Sequence, residues 1–191
     1  IQFLLITGIT KFAKTSIFSG LNNVNDITFK PLAATLCGYT EEEITTYLSR
    51  YVSEMAEEIQ SAPDSIRAQL KYWYNGYQFS KLPTKVYNPF SILFCLNDKD
   101  FANYWFSTGT PSFLIKFFKT HYNELVKLGS SRWEINEIDT FELDNINPIT
   151  LLLQTGYATI SGYDPKRDEY ALDYPNFETK YSFERHLLAE L

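Results

Sequence analysis

One device sets the start of three helices in this chain. Asn88-Pro89, Thr110-Pro111 and Asn147-Pro148 each place a capping side chain directly before a proline at the first helical position. The proline ring fixes its own backbone for helix entry and blocks continuation of whatever precedes it. Apolar residues then recur at helical spacing: Phe90, Leu93 and Phe94, next Phe113, Leu114, Phe117 and Phe118, and later Ile149, Leu152 and Leu153. The spacing predicts that these residues form the buried faces, and a chain punctuated in this way is mainly α.

Further elements follow by the same reasoning. Thr40-Glu41-Glu42-Glu43 predicts a capping box, with three acids at the positive end of a helix that carries Ile44, Leu48, Tyr51 and Met55. Pro63 closes that region, and a helix from about Asp64 carries Ile66, Leu70 and Trp73. Asn75-Gly76 reads as a turn, and Ile27-Thr28-Phe29 as a short strand or extended edge. Gly129-Ser130-Ser131 marks a soft boundary. Tyr157–Ser161 and Glu169–Leu172 read as strands joined by a turn around Gly162-Tyr163-Asp164-Pro165. Asn176 caps a last helix with Phe177, Tyr181, Leu187 and Leu188. Helices followed by a short hairpin are the ingredients of a winged helix. At the other end, Ile1-Gln2-Phe3-Leu4-Leu5-Ile6-Thr7-Gly8 reads as a strand buried on both faces, yet little that follows looks like its partners.

Composition removes several functions. The 15 Phe, 14 Tyr and 3 Trp predict an aromatic core with Tyr hydroxyls paired at its margins. A net charge of -6 favours a protein partner over nucleic acid, and the basic pair Lys166-Arg167 is diluted by Asp164, Asp168 and Glu169. Cys37 and Cys95 read as two buried structural thiols in a reduced, cytoplasmic protein. No apolar run approaches the roughly 20 residues that cross a bilayer. The phosphate-cradling loop Gly-x-x-x-x-Gly-Lys-Ser/Thr does not occur, and Gly8 and Gly20 stand too far apart for a dinucleotide fingerprint. His121 and His186 have no neighbouring ligand spacing, so no metal site is expected. Glu41-Glu42-Glu43 reads as a cap and Glu57-Glu58 as a solvated helix face. No residue is assigned a catalytic role.

Three groups of polar residues remain as candidates. Thr7, Thr10 and Lys11 sit at the carboxyl end of the opening strand, where ligands of open α/β sheets bind; the alternative is an ordinary solvated loop. Asn22, Asn23 and Asp26 form a polar cluster that caps the next element or meets a partner. Tyr104, Trp105 and Thr108 line a pocket, or else belong to an aromatic core with a helix cap.

Several separated strings, taken together, resemble one family. They are Thr7-Gly8-Ile9-Thr10-Lys11-Phe12, Ser16-Ile17-Phe18-Ser19-Gly20-Leu21-Asn22-Asn23, Asp26-Ile27-Thr28 and Leu36-Cys37-Gly38-Tyr39-Thr40-Glu41-Glu42-Glu43. Trp73-Tyr74-Asn75-Gly76-Tyr77, Val86-Tyr87-Asn88-Pro89-Phe90-Ser91 and Asn103-Tyr104-Trp105-Phe106-Ser107-Thr108-Gly109-Thr110-Pro111 follow, then Leu153-Gln154-Thr155-Gly156-Tyr157 and Tyr174-Pro175-Asn176. In this order, and over nearly the whole chain, they resemble the AAA-ATPase-like family of bacterial P-loop proteins, which often carry a nuclease-like domain of the PD-(D/E)XK type.

The resemblance implies that this chain is the C-terminal half of such an ATPase region. Residues 1–35 would be the sensor-strand end of a P-loop core, 36–128 a helical lid and 129–191 a winged-helix-like module. Thr7 would match the family's sensor residue, with Thr10 and Lys11 as neighbours. The P-loop half would lie upstream and bind ATP and Mg, and a nuclease-like domain would follow Leu191. The alternative is a non-enzymatic protein-interaction module.

Overall fold

The computed structural model describes residues 5, 7, 8, 25–107, 112–125, 127–139 and 147–189. The described chain is mainly helical, with one two-stranded and one three-stranded antiparallel sheet. Leu5 is 58% exposed, and neither it nor Thr7 and Gly8 belongs to a strand. The reading of these three as part of a buried strand is therefore corrected; the rest of that segment lies outside the described residues.

Local capping chemistry builds the first half. Ahead of it, Pro31–Ala33 is a short 3-10 turn, and Thr28 and Phe29 lie in a turn rather than a strand. Asp26 closes that turn, accepting from the backbone N–H and hydroxyl of Thr28. α1 (Glu41–Tyr47) opens with the expected capping box: Glu43 N–H donates to Thr40 Oγ1 at 3.2 Å, and Thr40 N–H donates to Glu43 Oε2 at 2.8 Å. The helix breaks at Leu48 (φ −110°, ψ 2°) and resumes as α2 (Ser49–Glu58). That break changes which side chains face inward. Val52, Met55 and Ala56 are buried, whereas Tyr51 stands 48% exposed.

α3 (Pro63–Tyr74) buries Ile66, Leu70 and Tyr74, and leads into β1 (Asn75–Tyr77), paired with β2 (Val86–Tyr87). Asn75-Gly76 is thus a strand and not a turn. The cause is tertiary. Gly76 adopts φ +136° because the backbone of Pro175 lies against it, and a Cβ there would penetrate the Pro175 carbonyl oxygen.

Asn88 caps α4 (Pro89–Asp98), its Oδ1 accepting from Phe90 N–H at 3.0 Å and Ser91 N–H at 3.3 Å. The cap is as expected, but the buried face is not. Ser91, Ile92, Cys95 and Leu96 turn inward, while Phe90, Leu93 and Phe94 are exposed. The outward rings pack on one another, Phe90 tilted against Phe94 and Phe94 stacked on Tyr104 of α5 (Tyr104–Ser107). Ile44, Met55, Leu70, Tyr74, Ile92 and Cys95 belong to the first apolar core. Cys37, by contrast with its expected burial, is exposed.

The second half runs α6 (Ser112–Thr120), α7 (Tyr122–Leu125), β3 (Arg132–Glu134), α8 (Ile135–Ile138), α9 (Pro148–Gln154), β4 (Thr159–Asp164), β5 (Glu169–Asp173) and α10 (Phe177–Ala189). The sheet order is β3-β5-β4, so the first strand of this half pairs with the last. Strand β3 has no strong signal in the sequence and is held by pairing with β5, which also pairs with β4 in the hairpin. That hairpin turns later than expected, because β4 runs on to Asp164 with a register shift between Ile160 and Gly162. Asn147 caps α9 by accepting from Ile149 N–H at 2.9 Å. Thr110 and Pro111 lie outside the described residues. Leu114, Phe118, Ile149, Leu152, Leu172 and Phe183 belong to a second apolar core. On α10, Phe183 and Leu187 are buried, but Tyr181 and Leu188 are exposed.

Gly76→Ala combines backbone strain with a clash against backbone rather than a movable side chain. Chemical denaturation of the variant is expected to show a loss of more than about 3 kcal/mol, or no cooperative transition at all.

Candidate functional site

The two cores meet across a seam that is polar at its centre. The residues there come from both halves, and several belong to the strings that carry the family resemblance. At its middle is Glu178, on the first turn of α10 and fully buried. Its Oε2 accepts from the Ser91 hydroxyl of α4 at 2.7 Å, and its Oε1 accepts from the Trp105 N–H of α5 at 2.8 Å. The Tyr104 N–H also acts on it. One carboxyl group therefore ties α10 to α4 and caps α5, whose first N–H groups have no helical acceptor of their own.

Around Glu178 the other crossings are paired as well. The Thr159 hydroxyl of β4 accepts from Gln78 N–H at 2.8 Å and donates to Gln78 O at 3.0 Å, so one side chain completes the backbone just past β1. The Tyr77 hydroxyl lies 3.3 Å from that of Thr179. Asn176 caps α10 by accepting from Thr179 N–H at 3.0 Å. Asn176 Nδ2 and Ser182 Oγ, both buried, have no hydrogen-bond partner among the described residues.

Two glycines and a group of rings close the seam. Gly76 meets Pro175, as described above. Gly156 adopts φ +82°, a conformation that favours glycine, and the Trp105 ring beside it packs on Tyr157 at 5.1 Å. Phe177 sits between Tyr72 (4.8 Å, stacked) and Trp73 (4.7 Å, edge-on), so α10 grips the end of α3.

The electrostatics follow from burial. The Glu178 carboxyl is pushed above the usual glutamate range by loss of solvent, and the donors from Ser91, Trp105 and Tyr104 offset this only in part. Burial likewise raises the Tyr77 and Tyr74 hydroxyls above the ordinary tyrosine range. The Cys95 thiol, buried beside Tyr74, is pushed up to about 12. It stays protonated at neutral pH, which denies Cys95 the thiolate that nucleophilic catalysis requires. Among the described residues no group of three or more His, Cys, Asp or Glu side chains is placed to hold a metal ion.

The candidates read from the sequence divide sharply. Tyr104 and Trp105 reach the seam, both half-buried, and Trp105 contributes its backbone N–H as well as its ring. Asp26 does not reach it; its carboxylate serves the local turn at Thr28. Thr7 is exposed. Thr10, Lys11, Asn22, Asn23 and Thr108 lie outside the described residues. Sequence reasoning passed over Glu178, Ser91, Gln78 and Thr159. A signal did exist for two of them. Glu178 is an acid within one turn of the Asn176 cap and four residues before Ser182, a face that α10 buries. Ser91 is a small hydroxyl four residues before Cys95 on the inner face of α4.

A curated relative similar to this chain is an uncharacterized protein in the vnfD 5' region of Azotobacter chroococcum mcd 1. It is 35% identical over 193 residues, covering 98% of this chain and 34% of the relative. The chain thus spans about a third of that relative's length. No family model matches the chain, and no solved structure matches it at a significant level.

Thr159→Val keeps the volume of the side chain but leaves the Gln78 N–H and C=O unpaired in a buried place. Urea unfolding is expected to show a loss of about 2 kcal/mol. A change below about 0.5 kcal/mol would mean that water or a shifted neighbour replaces the hydroxyl.

Proposed function

We propose that this chain is the helical-lid and winged-helix-like part of an ATP-binding switch protein of the AAA-ATPase-like type. The observation that carries this reading is spatial. The strings that resemble the family run from Thr7 to Asn176, and from those between Trp73 and Asn176 the residues Gly76, Tyr77, Ser91, Trp105, Gly156 and Pro175 gather at one seam. A set of strings shared for the sake of one apolar core would not select a polar joint between two cores.

The element order supports the second half of the reading. Helix, strand, helix, helix, strand, strand, with the sheet ordered first, third, second, is the order of a winged helix. In DNA-binding members of that architecture the helix before the hairpin offers a polar face to the major groove. Here α9 offers none. Ile149, Thr150, Leu151 and Leu152 are buried, Thr150 donates to Glu137 O, and Gln154 donates to Asp139 O. The hairpin tip sets Lys166 and Arg167 among Asp164, Asp168 and Glu169. These features favour packing against protein over reading DNA.

In this reading the lid and the winged-helix-like module respond to nucleotide held by a P-loop core elsewhere in the longer protein. ATP and Mg bind there, and Thr7 faces the γ-phosphate or its attacking water, with Thr10 and Lys11 beside it. The protein works in the cytoplasm. Among the described residues no helix is long and apolar enough to cross a membrane.

A second reading is a non-enzymatic protein-interaction module, and α4 is the observation that favours it. Phe90, Leu93 and Phe94 share one outward face and are 38%, 44% and 44% exposed.

Calorimetry on this chain, and on the longer protein with its upstream half, separates the two. The first reading expects ATP binding by the longer protein alone, and a loss of hydrolysis of at least tenfold in its Thr7→Val variant, on the scale of losing one stabilising group in the transition state. No binding by either folded protein would transfer the assignment to the interaction module. Unchanged hydrolysis in Thr7→Val would remove Thr7 as the sensor.

A further inference from the structure

We propose that the seam between the two cores is a separable joint, and that Glu178 is a latch whose release is linked to a proton. This inference concerns the chain itself and holds whether or not the ATP-switch reading does.

The geometry of the seam carries the first part. Each half has its own apolar core, and beside the ring contacts of Phe177 and Trp105 the seam is crossed by polar pairs: Gln78 with Thr159, Tyr77 with Thr179, and Ser91 with Glu178. Interfaces that are polar and internally paired separate at lower cost than a shared apolar core, because each group regains water on opening. A seam built to be permanent would bury leucine and phenylalanine at its centre. This one buries a carboxyl group, two threonines and a serine.

The neutrality of Glu178's surroundings carries the second part. Ser91 from α4 and the N–H groups of Trp105 and Tyr104 from α5 are its donors. The titratable groups that feel its charge are Tyr74 of α3, Tyr77 of β1 and Cys95 of α4, and all three are uncharged at neutral pH. Among the described residues the influences on its own ionisation are burial and these three donors, with no arginine, lysine or histidine among them. A carboxylate held by neutral donors gains much of its stability from water, and the closed seam removes that water. The closed state therefore holds the Glu178 proton more tightly than the open state does. Closing takes up a proton, and opening releases it.

The sign of the pH dependence follows. Burial raises the Glu178 pKa in the closed state. Its contribution to closure is then complete below the ordinary glutamate range and is lost as pH rises through the raised value. Alkalinisation opens the joint, and acidification closes it.

Amide hydrogen exchange on the whole chain tests this, read at the Trp105 and Gln78 N–H groups and corrected for the intrinsic pH dependence of exchange. In the wild-type protein the opening constant is expected to rise with pH above the ordinary glutamate range. The limit for one proton is about tenfold per pH unit. In Glu178→Gln, which cannot titrate, the opening constant is expected to be flat across that window, with exchange in the centres of the two cores unchanged. The same slope in Glu178→Gln as in the wild type would overturn the proposal. So would exchange at Trp105 and Gln78 as slow as in the core helices. Should Glu178→Gln fail to fold, carbon-13 NMR of the Glu178 carboxyl in the wild-type chain decides. A midpoint above those of the exposed glutamates supports the latch, and a midpoint among or below them refutes it.

Discussion

The hydrogen bonds from Ser91 and Trp105 to the buried Glu178 are the interaction on which the arrangement of this molecule rests. Each half has an apolar core that satisfies itself. What orients one half on the other is a small number of polar crossings, and Glu178 is the crossing that reaches two elements of the first half at once. Burying a carboxyl group without a cation is costly. Its position at the centre of the seam ties orientation and ionisation together.

The same constraint explains Gly76. A polar crossing works only if donor and acceptor come within about 3 Å, which forces the two backbones close together. Gly76 lets the end of β1 rest on Pro175, whereas Gly156 answers a different demand, a backbone φ of +82° just past the end of α9. With that clearance in place, the hydroxyl of Thr159 reaches both backbone groups of Gln78 and the ring of Phe177 slots between Tyr72 and Trp73.

The features legible in the sequence were those decided within a few residues. Thr40, Asn88, Asn147 and Asn176 all cap the helices expected of them, because a cap is a contact between a side chain and its own first turn. The mainly helical class with small sheets followed from those starts. The inward faces were harder. On α4 the aromatic residues looked like the core and the smaller Ser91, Ile92, Cys95 and Leu96 are the core, because the space beside Tyr74 and Glu178 admits small side chains. Asn75-Gly76 looked like a turn, because the residue that demands the glycine lies a hundred positions away. Of the candidate site, Tyr104 and Trp105 were found as aromatics, but the role of the Trp105 backbone depends on Glu178, a partner that no local pattern pairs with it. Beyond the site, Cys37 and Tyr51 show the limit of composition, since both belong to types that are often buried and both are exposed here.

The account stands or falls on whether Ser91 and Glu178 act as one unit across the seam. A double-mutant cycle with Ser91→Ala, Glu178→Gln and the combined variant, followed by urea unfolding at fixed pH, measures this directly. The account predicts a coupling of at least about 1 kcal/mol, since both side chains share one buried hydrogen bond. Additivity within about 0.3 kcal/mol would contradict it and leave the joint to its other crossings, the Gln78–Thr159 pair and the rings of Phe177 and Trp105.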